Sequence, residues 1–150
     1  MYQTLTKLEI AELQLNQSIA FYLEGKDLIS AVTLAGAAEE ILGKMNRAAE
    51  RTDALNDQVK LCCKTYETVF KKKAKPKDFV EIRNRARNEL KHLGSEDLIK
   101  IDLDYEAYSL ISRAIENYKK IKSGFSKQFR DVEREMLRRH TAEQAEMVKK

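Results

Sequence analysis

Apolar residues recur every three or four positions along most of this chain, which is the spacing of amphipathic helices. No strand-like alternation of useful length occurs. The last segment is mostly charged beyond Leu137. We therefore predict an all-α fold, with a bundle of four to five core helices over residues 1–124 and a charged C-terminal helical extension over residues 125–150. The pattern places the helical segments at residues 4–24, 28–49, 55–70, 79–93, 105–123 and 126–150.

Local residues set the expected ends of these helices. Aspartates can accept hydrogen bonds from the free amides of a first turn, and glycines can adopt the left-handed conformation that ends a helix. Residues 71–77, with five lysines and Pro76, are predicted to form an exposed loop. The charged tail is open to three interpretations: it projects from the domain, pairs with a second subunit, or frays. The predicted caps are Asp27, Asp78 and Asp104, and the predicted stops are Gly25, Gly94 and Gly124.

Composition narrows the class of protein. Of the 150 residues, 43% are hydrophobic and 35% are charged, and the longest apolar-leaning segment, 28–38, is too short to cross a bilayer. The N-terminus lacks the basic start and apolar core of a signal peptide, so we expect a cytoplasmic protein. The net charge of +4 modestly favours anionic partners. Cys62 and Cys63 are adjacent and lack a redox or metal-binding spacing, which predicts reduced structural thiols.

The segment from Asp78 to Gly94 carries the candidate chemistry, in Arg87, Asn88 and His92. A neutral histidine can take a proton from a ribose 2′-OH or return one to a leaving 5′-oxygen. An arginine can hold the phosphate, and an asparagine one turn from the histidine can orient its ring. Phosphodiester cleavage of this kind needs no metal, and the chain has no His/Cys/Asp cluster with metal-ligand spacing.

Two considerations weigh against this interpretation of His92. A histidine in the last turn of a helix often serves only as a partner for the helix dipole. Arginine-to-histidine spacings also recur elsewhere in the chain, as between Arg134 and His140. In addition, Arg87 and His92 lie about 140° apart on an ideal helix. Both can reach one phosphate only if the helix loosens near its end or if a second protomer contributes half of the site.

A second candidate region is the run of small residues at 35–38, which lets another helix approach closely. Glu39 and Glu40 interrupt this run. Glu40 lies four residues before Lys44, an arrangement typical of a surface salt bridge. The alternative is a carboxylate that positions Arg87 or His92 from a neighbouring helix.

The lysine-rich segment has both an ordinary and a functional interpretation. Solvated charge is the default for such a run, and contact with an RNA backbone is the functional alternative. The lysines lie about 20 Å along the helix from His92, so they would touch a distant part of a long substrate or the site of a second protomer. The candidate RNA-binding residues are Lys71, Lys72, Lys73, Lys75, Lys77, Arg83 and Lys91.

Three segments together resemble the HEPN superfamily: AGAAEEILGK at 35–44, RNRARNELKH at 83–92 and EAYSLISRAIENY at 106–118. The resemblance covers residues 10–122. It implies an up-and-down helical bundle, usually dimeric, in which the motifs of two protomers face each other. The family signature of Arg, a polar residue and then His matches Arg87, Asn88 and His92, and Glu40 matches the acidic residue that often joins the site.

The resemblance also implies a function. Many members are metal-independent endoribonucleases of toxin–antitoxin or phage-defence systems, often encoded beside a nucleotidyltransferase-like antitoxin. We therefore expect a homodimer that cleaves RNA through a 2′,3′-cyclic phosphate and needs no cofactor. The alternative is a non-catalytic domain of the same fold that binds a nucleotide or a partner protein.

Overall fold

The computed structural model describes residues 2–91 and 98–147, with side chains as far as residue 142. No strand occurs in these ranges, and the prediction of an all-α helical bundle is confirmed. No helix of the described chain combines the length and apolar character that a membrane crossing requires. The helices are α1 (Lys7–Glu24), α2 (Leu28–Ala48), α3 (Ala54–Phe70), α4 (Pro76–Glu89), α5 (Leu103–Lys119) and α6 (Ser126–Met147).

The apolar core lies where α2 packs between α1 and α5. Small residues on α2 allow this close approach, because alanine side chains fill little space between helix backbones. Val132 of α6 is also fully buried in this core. Helices α3 and α4 lie outside it and pack mainly against each other. The largest fully buried apolar side chains of the core are Leu15, Tyr22, Val32, Leu42, Leu110, Ile111, Ile115 and Val132.

Two predicted helix ends are present as expected. The Asp27 side chain accepts a 2.9 Å hydrogen bond from the amide of Ser30 and caps α2. Gly25 ends α1 in the left-handed conformation, with φ of 68°. These two residues set the tight turn that returns α2 along α1.

The predicted start and end of α4 are wrong. The helix begins at Pro76 rather than after Asp78, because a proline at the first helical position has a suitable φ and no amide that needs a partner. Regular helix ends at Glu89. The predicted stop, Gly94, lies outside the described residues. Pro76 and Lys77 therefore belong to the helix and not to the loop.

The predicted ends of α5 also differ from the structure. Asp102, not Asp104, caps the helix by accepting a 3.0 Å hydrogen bond from the amide of Tyr105. The Asp104 carboxylate instead pairs with Arg139 of α6. The helix ends at Lys119, before the predicted residue 123. Both aspartates suit a cap, and the ion pair with α6 engages Asp104, which lies two residues further on, in the first turn of the helix.

The burial of α3 and α4 differs from the periodic pattern. The spacing of apolar residues in α3 and α4 predicts that Val69 and Ile82 face inward, but they are 63% and 65% exposed. Asn84, by contrast, is buried. The reason is that these two helices form the outer edge of the bundle, so part of their apolar surface has no helix above it.

The charged tail packs on the bundle at least as far as Arg139. The Arg139 guanidinium pairs with Asp104, donates to the backbone carbonyl of Tyr22 at the end of α1, and lies 4.6 Å from the Tyr22 ring centroid. Its Nε also donates to Glu135 at 2.7 Å. Residues 126–139 are therefore attached to α1 and α5.

A buried polar network fixes the turn between α2 and α3 against α5. The Asn117 side-chain oxygen accepts a 2.7 Å hydrogen bond from the amide of Ala54, and its Nδ2 donates to the carbonyl of Glu39 at 3.4 Å. Asn46 donates from Nδ2 to the Asn117 carbonyl at 2.9 Å. One buried asparagine thus connects α2, α3 and α5.

We predict that Asn117→Ala lowers the free energy of unfolding by about 1–3 kcal/mol, because it leaves the buried amide of Ala54 without its acceptor. Chemical denaturation followed by circular dichroism measures this change. Glu116→Ala is the matched control, since Glu116 is the adjacent, exposed residue of the same helix. Equal stability of the two variants would contradict the prediction.

Candidate functional site

Arg87 lies directly against the small-residue surface of α2. A Cβ atom built on Gly36 would be 2.7 Å from both Cγ and Cδ of Arg87, so only glycine leaves room for this side chain. The Arg87 side chain is 14% exposed. Its Nη1 lies 3.5 Å from Oε2 of Glu39 and 3.7 Å from Oε2 of Glu40. The glycine of α2 therefore determines where the guanidinium of α4 lies.

Glu39 is shared between two arginines from different helices. Its Oε1 lies 3.7 Å from Nε of Arg113, a fully buried residue of α5. Arg113 also donates from Nη1 to the carbonyl of Arg83 at 3.4 Å. The buried carboxylate thus connects α2, α4 and α5, and we refer to Glu39, Glu40, Arg87 and Arg113 as the buried ion cluster.

Positive charge is in excess in the inner part of this cluster. Burial raises the pKa of Glu39, while Arg113 and Arg87 act in the opposite direction. A guanidinium stays protonated in proteins, so two cations face one buried carboxylate. The Nε and Nη2 atoms of Arg113 and the Nε of Arg87 have no hydrogen-bond partner among the described residues. The inner part of the cluster, formed by Glu39, Arg87 and Arg113, therefore carries a net positive charge.

Glu40 occupies the exposed side of the cluster. It accepts a 2.8 Å hydrogen bond from Lys44, which is the largest cause of its lowered pKa. It also lies 3.7 Å from Arg87. The two interpretations of Glu40 are therefore compatible, because the same carboxylate contacts the surface lysine and the candidate arginine.

A cavity of about 190 Å³ opens beside the buried ion cluster, between α2 and α4. Both glutamates and Arg87 line it, together with Lys44, which pairs with Glu40, and Arg47, which pairs with Asp53. Buried Asn84 also lines it, and its Oδ1 has no hydrogen-bond partner among the described residues. A small polar group, such as a phosphate with its hydroxyl neighbours, would find both donors and acceptors here.

The structure brings only some predicted residues to this cavity. Asn88 is exposed on α4, next to Arg87. His92 lies outside the described residues, so its distance from Arg87 stays a prediction.

Of the other candidate RNA-binding residues, only Lys91 is near the site, where its charge helps to lower the pKa of Glu40. Lys75 directly precedes α4 and makes no side-chain capping hydrogen bond, and it lies about 18 Å along the helix from Arg87. Arg83 turns toward α3 and α5, where it donates to the Tyr105 hydroxyl at 3.0 Å and to Cys62 Sγ at 3.8 Å. Lys91 is exposed in the turn after α4. The exposed lysines around the α3–α4 turn are Lys71, Lys72, Lys73, Lys75 and Lys77.

Arg113 was not expected at this site, whereas Asn84 lies in a row of polar residues with Asn88 that the sequence marks as a possible functional face. Arg113 lies three residues after Leu110 and four before Asn117, a spacing that places it on the buried side of α5. An arginine at such a position was the signal in the sequence that could have identified it. Asn84 lies three residues before Arg87 on the same helix. The described part of the chain contains no group of three or more His, Cys, Asp or Glu side chains that could hold a metal ion.

Comparison of this chain with models of protein families, with curated proteins and with solved structures gives no match in any of the three. Its function is therefore inferred from its own residues.

We predict that Gly36→Ala displaces Arg87 without unfolding the protein. Alanine is favoured over glycine in a helix by about 1 kcal/mol, which offsets part of the strain. The new methyl group needs the space of Arg87 Cγ and Cδ, so the guanidinium must move away from Glu39. The side-chain Nε–H resonance of Arg87, assigned through Arg87→Lys, should shift strongly.

Gly43→Ala is the control for this prediction. Its added Cβ would lie 3.4 Å from the nearest atoms, in Arg47 and Asn117, at the short end of ordinary contact. It should therefore leave the Arg87 resonance nearly in place. An unshifted Arg87 resonance in Gly36→Ala would show that the side chain does not depend on this glycine.

Proposed function

We propose that this chain is a metal-independent endoribonuclease domain of the HEPN type, acting in a toxin–antitoxin or phage-defence system of the cytoplasm. The observation that carries the proposal is the placement of Arg87 between two carboxylates, at the edge of a cavity that also presents Lys44 and Arg47. A fixed guanidinium with further cations around it suits the phosphate of an RNA backbone.

The buried ion cluster would serve to position Arg87. A carboxylate that contacts the guanidinium reduces its freedom, and preorganised charge stabilises a transition state without reorganisation. Glu39 makes this contact from the buried side and Glu40 from the exposed side. Arg113 places a second guanidinium beside Glu39, and its positive charge favours an incoming phosphate.

His92 is proposed to move the protons. As a base it takes the proton of the ribose 2′-OH while the 2′-oxygen attacks the adjacent phosphorus. The bond from phosphorus to the 5′-oxygen breaks, and an acid returns a proton to that oxygen. The products are a 2′,3′-cyclic phosphate and a 5′-hydroxyl. Asn88 would orient the ring, and a homodimer would supply a second histidine as the partner acid.

A non-catalytic role is the second candidate, and the low exposure of Arg87 favours it. The guanidinium already contacts two carboxylates and connects α4 to α2, so its function in this case is to hold the helix. The cavity would then bind a nucleotide, or its surroundings a partner protein such as a nucleotidyltransferase-like antitoxin.

We predict that the wild-type protein cleaves RNA in the presence of EDTA and that His92→Ala reduces the rate by about 10²–10⁴-fold, the usual contribution of a general acid or base. Arg87→Ala should be similarly impaired. Gel analysis of a labelled RNA, with mass spectrometry of the cyclic phosphate, measures both. An all-deoxy substrate should stay intact, because it has no 2′-hydroxyl.

His140→Ala is the matched control, since His140 is the other histidine of the chain and lies six residues after Arg134. It should cleave at the wild-type rate. Cleavage of DNA, loss of cleavage in EDTA, or full activity of His92→Ala would each contradict the mechanism. Intact RNA with every variant would favour the binding domain.

A further inference from the structure

A second surface of this protein has the character of a binding site and does not include the buried ion cluster. Two adjoining cavities of about 380 and 340 Å³ lie along α4 and share Phe79 and Ile82. Tyr66, Lys73 and Lys75 line the first, and Arg83 and Tyr105 line the second. Together they form one groove between α3, α4 and α5, which we call the lateral groove.

The walls of the lateral groove are aromatic and uncovered. The Tyr66 ring meets the Phe79 ring edge to face, with 6.0 Å between centroids, and lies 4.9 Å from the Phe70 ring centroid. Tyr105 is 50% exposed, and its hydroxyl is held by Arg83 at 3.0 Å. Flat apolar faces are thus fixed in place at both ends of the groove.

The charge around the lateral groove is strongly positive. Residues 60–85, which include most of α3 and most of α4, contain nine lysines and arginines and three acidic residues. Their net charge is therefore +6, whereas the whole chain carries +4, so the remaining residues are net negative. Asp78 and Glu106 also line the groove, but the nearby cations outnumber them.

This combination of charge and shape indicates which partner the groove accepts. Two copies of the chain joined through it would bring two positive surfaces together, which is unfavourable. A purely acidic partner would leave the aromatic faces unused. An unpaired nucleic acid strand satisfies both features, because its bases stack on aromatic rings while lysines and arginines follow its phosphates. A duplex cannot offer its bases in this way.

We infer that the lateral groove binds single-stranded RNA, with a base on Tyr105, a base near Tyr66 and Phe79, and the backbone phosphates on Lys73, Lys75 and Arg83. The inference rests on the proposed function for the strand being RNA. Arg83 and Arg87 are one helical turn apart, about 6 Å along α4, so a strand in the groove leads toward the buried ion cluster. The groove thus selects unpaired RNA and delivers it to the site.

Fluorescence anisotropy of a labelled single-stranded deoxyoligonucleotide of twelve thymidines tests the binding, because this probe has no 2′-hydroxyl to be cleaved. Tyr105→Ala should weaken binding about fivefold or more, as expected for the loss of one stacked base. Tyr105→Phe keeps the ring and should bind nearly as the wild type does. A hairpin duplex of equal length should compete poorly.

The double variant Lys73→Gln/Lys75→Gln tests the phosphate contacts. The slope of log affinity against log salt should fall by about 1.4, because two contacts to a single strand are lost. Lys7→Gln/Lys127→Gln removes the same charge from exposed positions on α1 and α6 and should leave this slope unchanged.

The outcomes separate this inference from the proposed nuclease. One outcome is that binding depends on Tyr105 and on the lysine pair while no variant cleaves RNA. This outcome supports the proposed binding role of the lateral groove and contradicts the proposed nuclease activity. A second outcome is that cleavage depends on His92 while the groove variants change neither cleavage nor oligonucleotide binding. This outcome overturns the groove inference and leaves the proposed nuclease activity standing. The groove inference is also overturned if light scattering shows a dimer that Ile82→Glu dissociates, because the groove is then a protein interface.

Discussion

The arrangement of this protein depends on one buried carboxylate, that of Glu39, and on the two arginines that contact it. A buried charge is costly unless it is paired, and removing one partner is more costly than never having had the pair. Arg87 and Arg113 come from α4 and α5. Glu39 of α2 can therefore be paired only if these three helices are held in the right positions. The apolar core does not impose this, since no residue of α4 belongs to the core, and Leu90, directly after the helix, only packs against it.

The surroundings of Glu39 follow from the same requirement. Gly36 lies one turn before it on α2 and leaves room for the stem of Arg87. The backbone carbonyl of Glu39 accepts from Asn117, whose other end holds the amide of Ala54 at the start of α3. The residues that fix the outer helices are therefore also those that fix the candidate site. A substitution of Asn117 should therefore change both the stability of the fold and the geometry of the site. A substitution of Gly36 by alanine should mainly change the geometry, because the higher helix propensity of alanine offsets part of the steric strain.

Sequence patterns predicted where the helices of this fold lie better than they predicted the tertiary contacts of each helix. Hydrophobic periodicity located every helix, and the turn at Gly25 and Asp27 followed from local chemistry. The caps of α4 and α5 were misplaced because each helix start offers two residues suited to the role, and tertiary contacts such as the pairing of Asp104 with Arg139 decide between them. Periodicity also defines an apolar stripe without saying what covers it, which is why exposed Ile82 and Val69 were expected to be buried.

The candidate site shows a similar limit. Adjacent residues on a helix point about 100° apart, so the sequence could not decide whether Glu39 or Glu40 faces Arg87, and in the structure both are within 4 Å of it. Arg113 was overlooked because a buried arginine is explained only by its partners on other helices.

Helix α4 is the element on which the two proposed roles meet. Because α4 makes few contacts with the apolar core, its polar sides are free to contact other helices. Arg87 contacts α2, and Arg83, one turn earlier, contacts α3 and α5. A helix embedded on all sides in an apolar core would have no such polar sides to present. The exposed apolar surface of α3 and α4 and the weak apolar anchoring of α4 thus have one origin, which is that these helices lie at the edge of the bundle. The ion pairs of Glu39 replace the missing apolar burial, and they do so with side chains that also suit a phosphate.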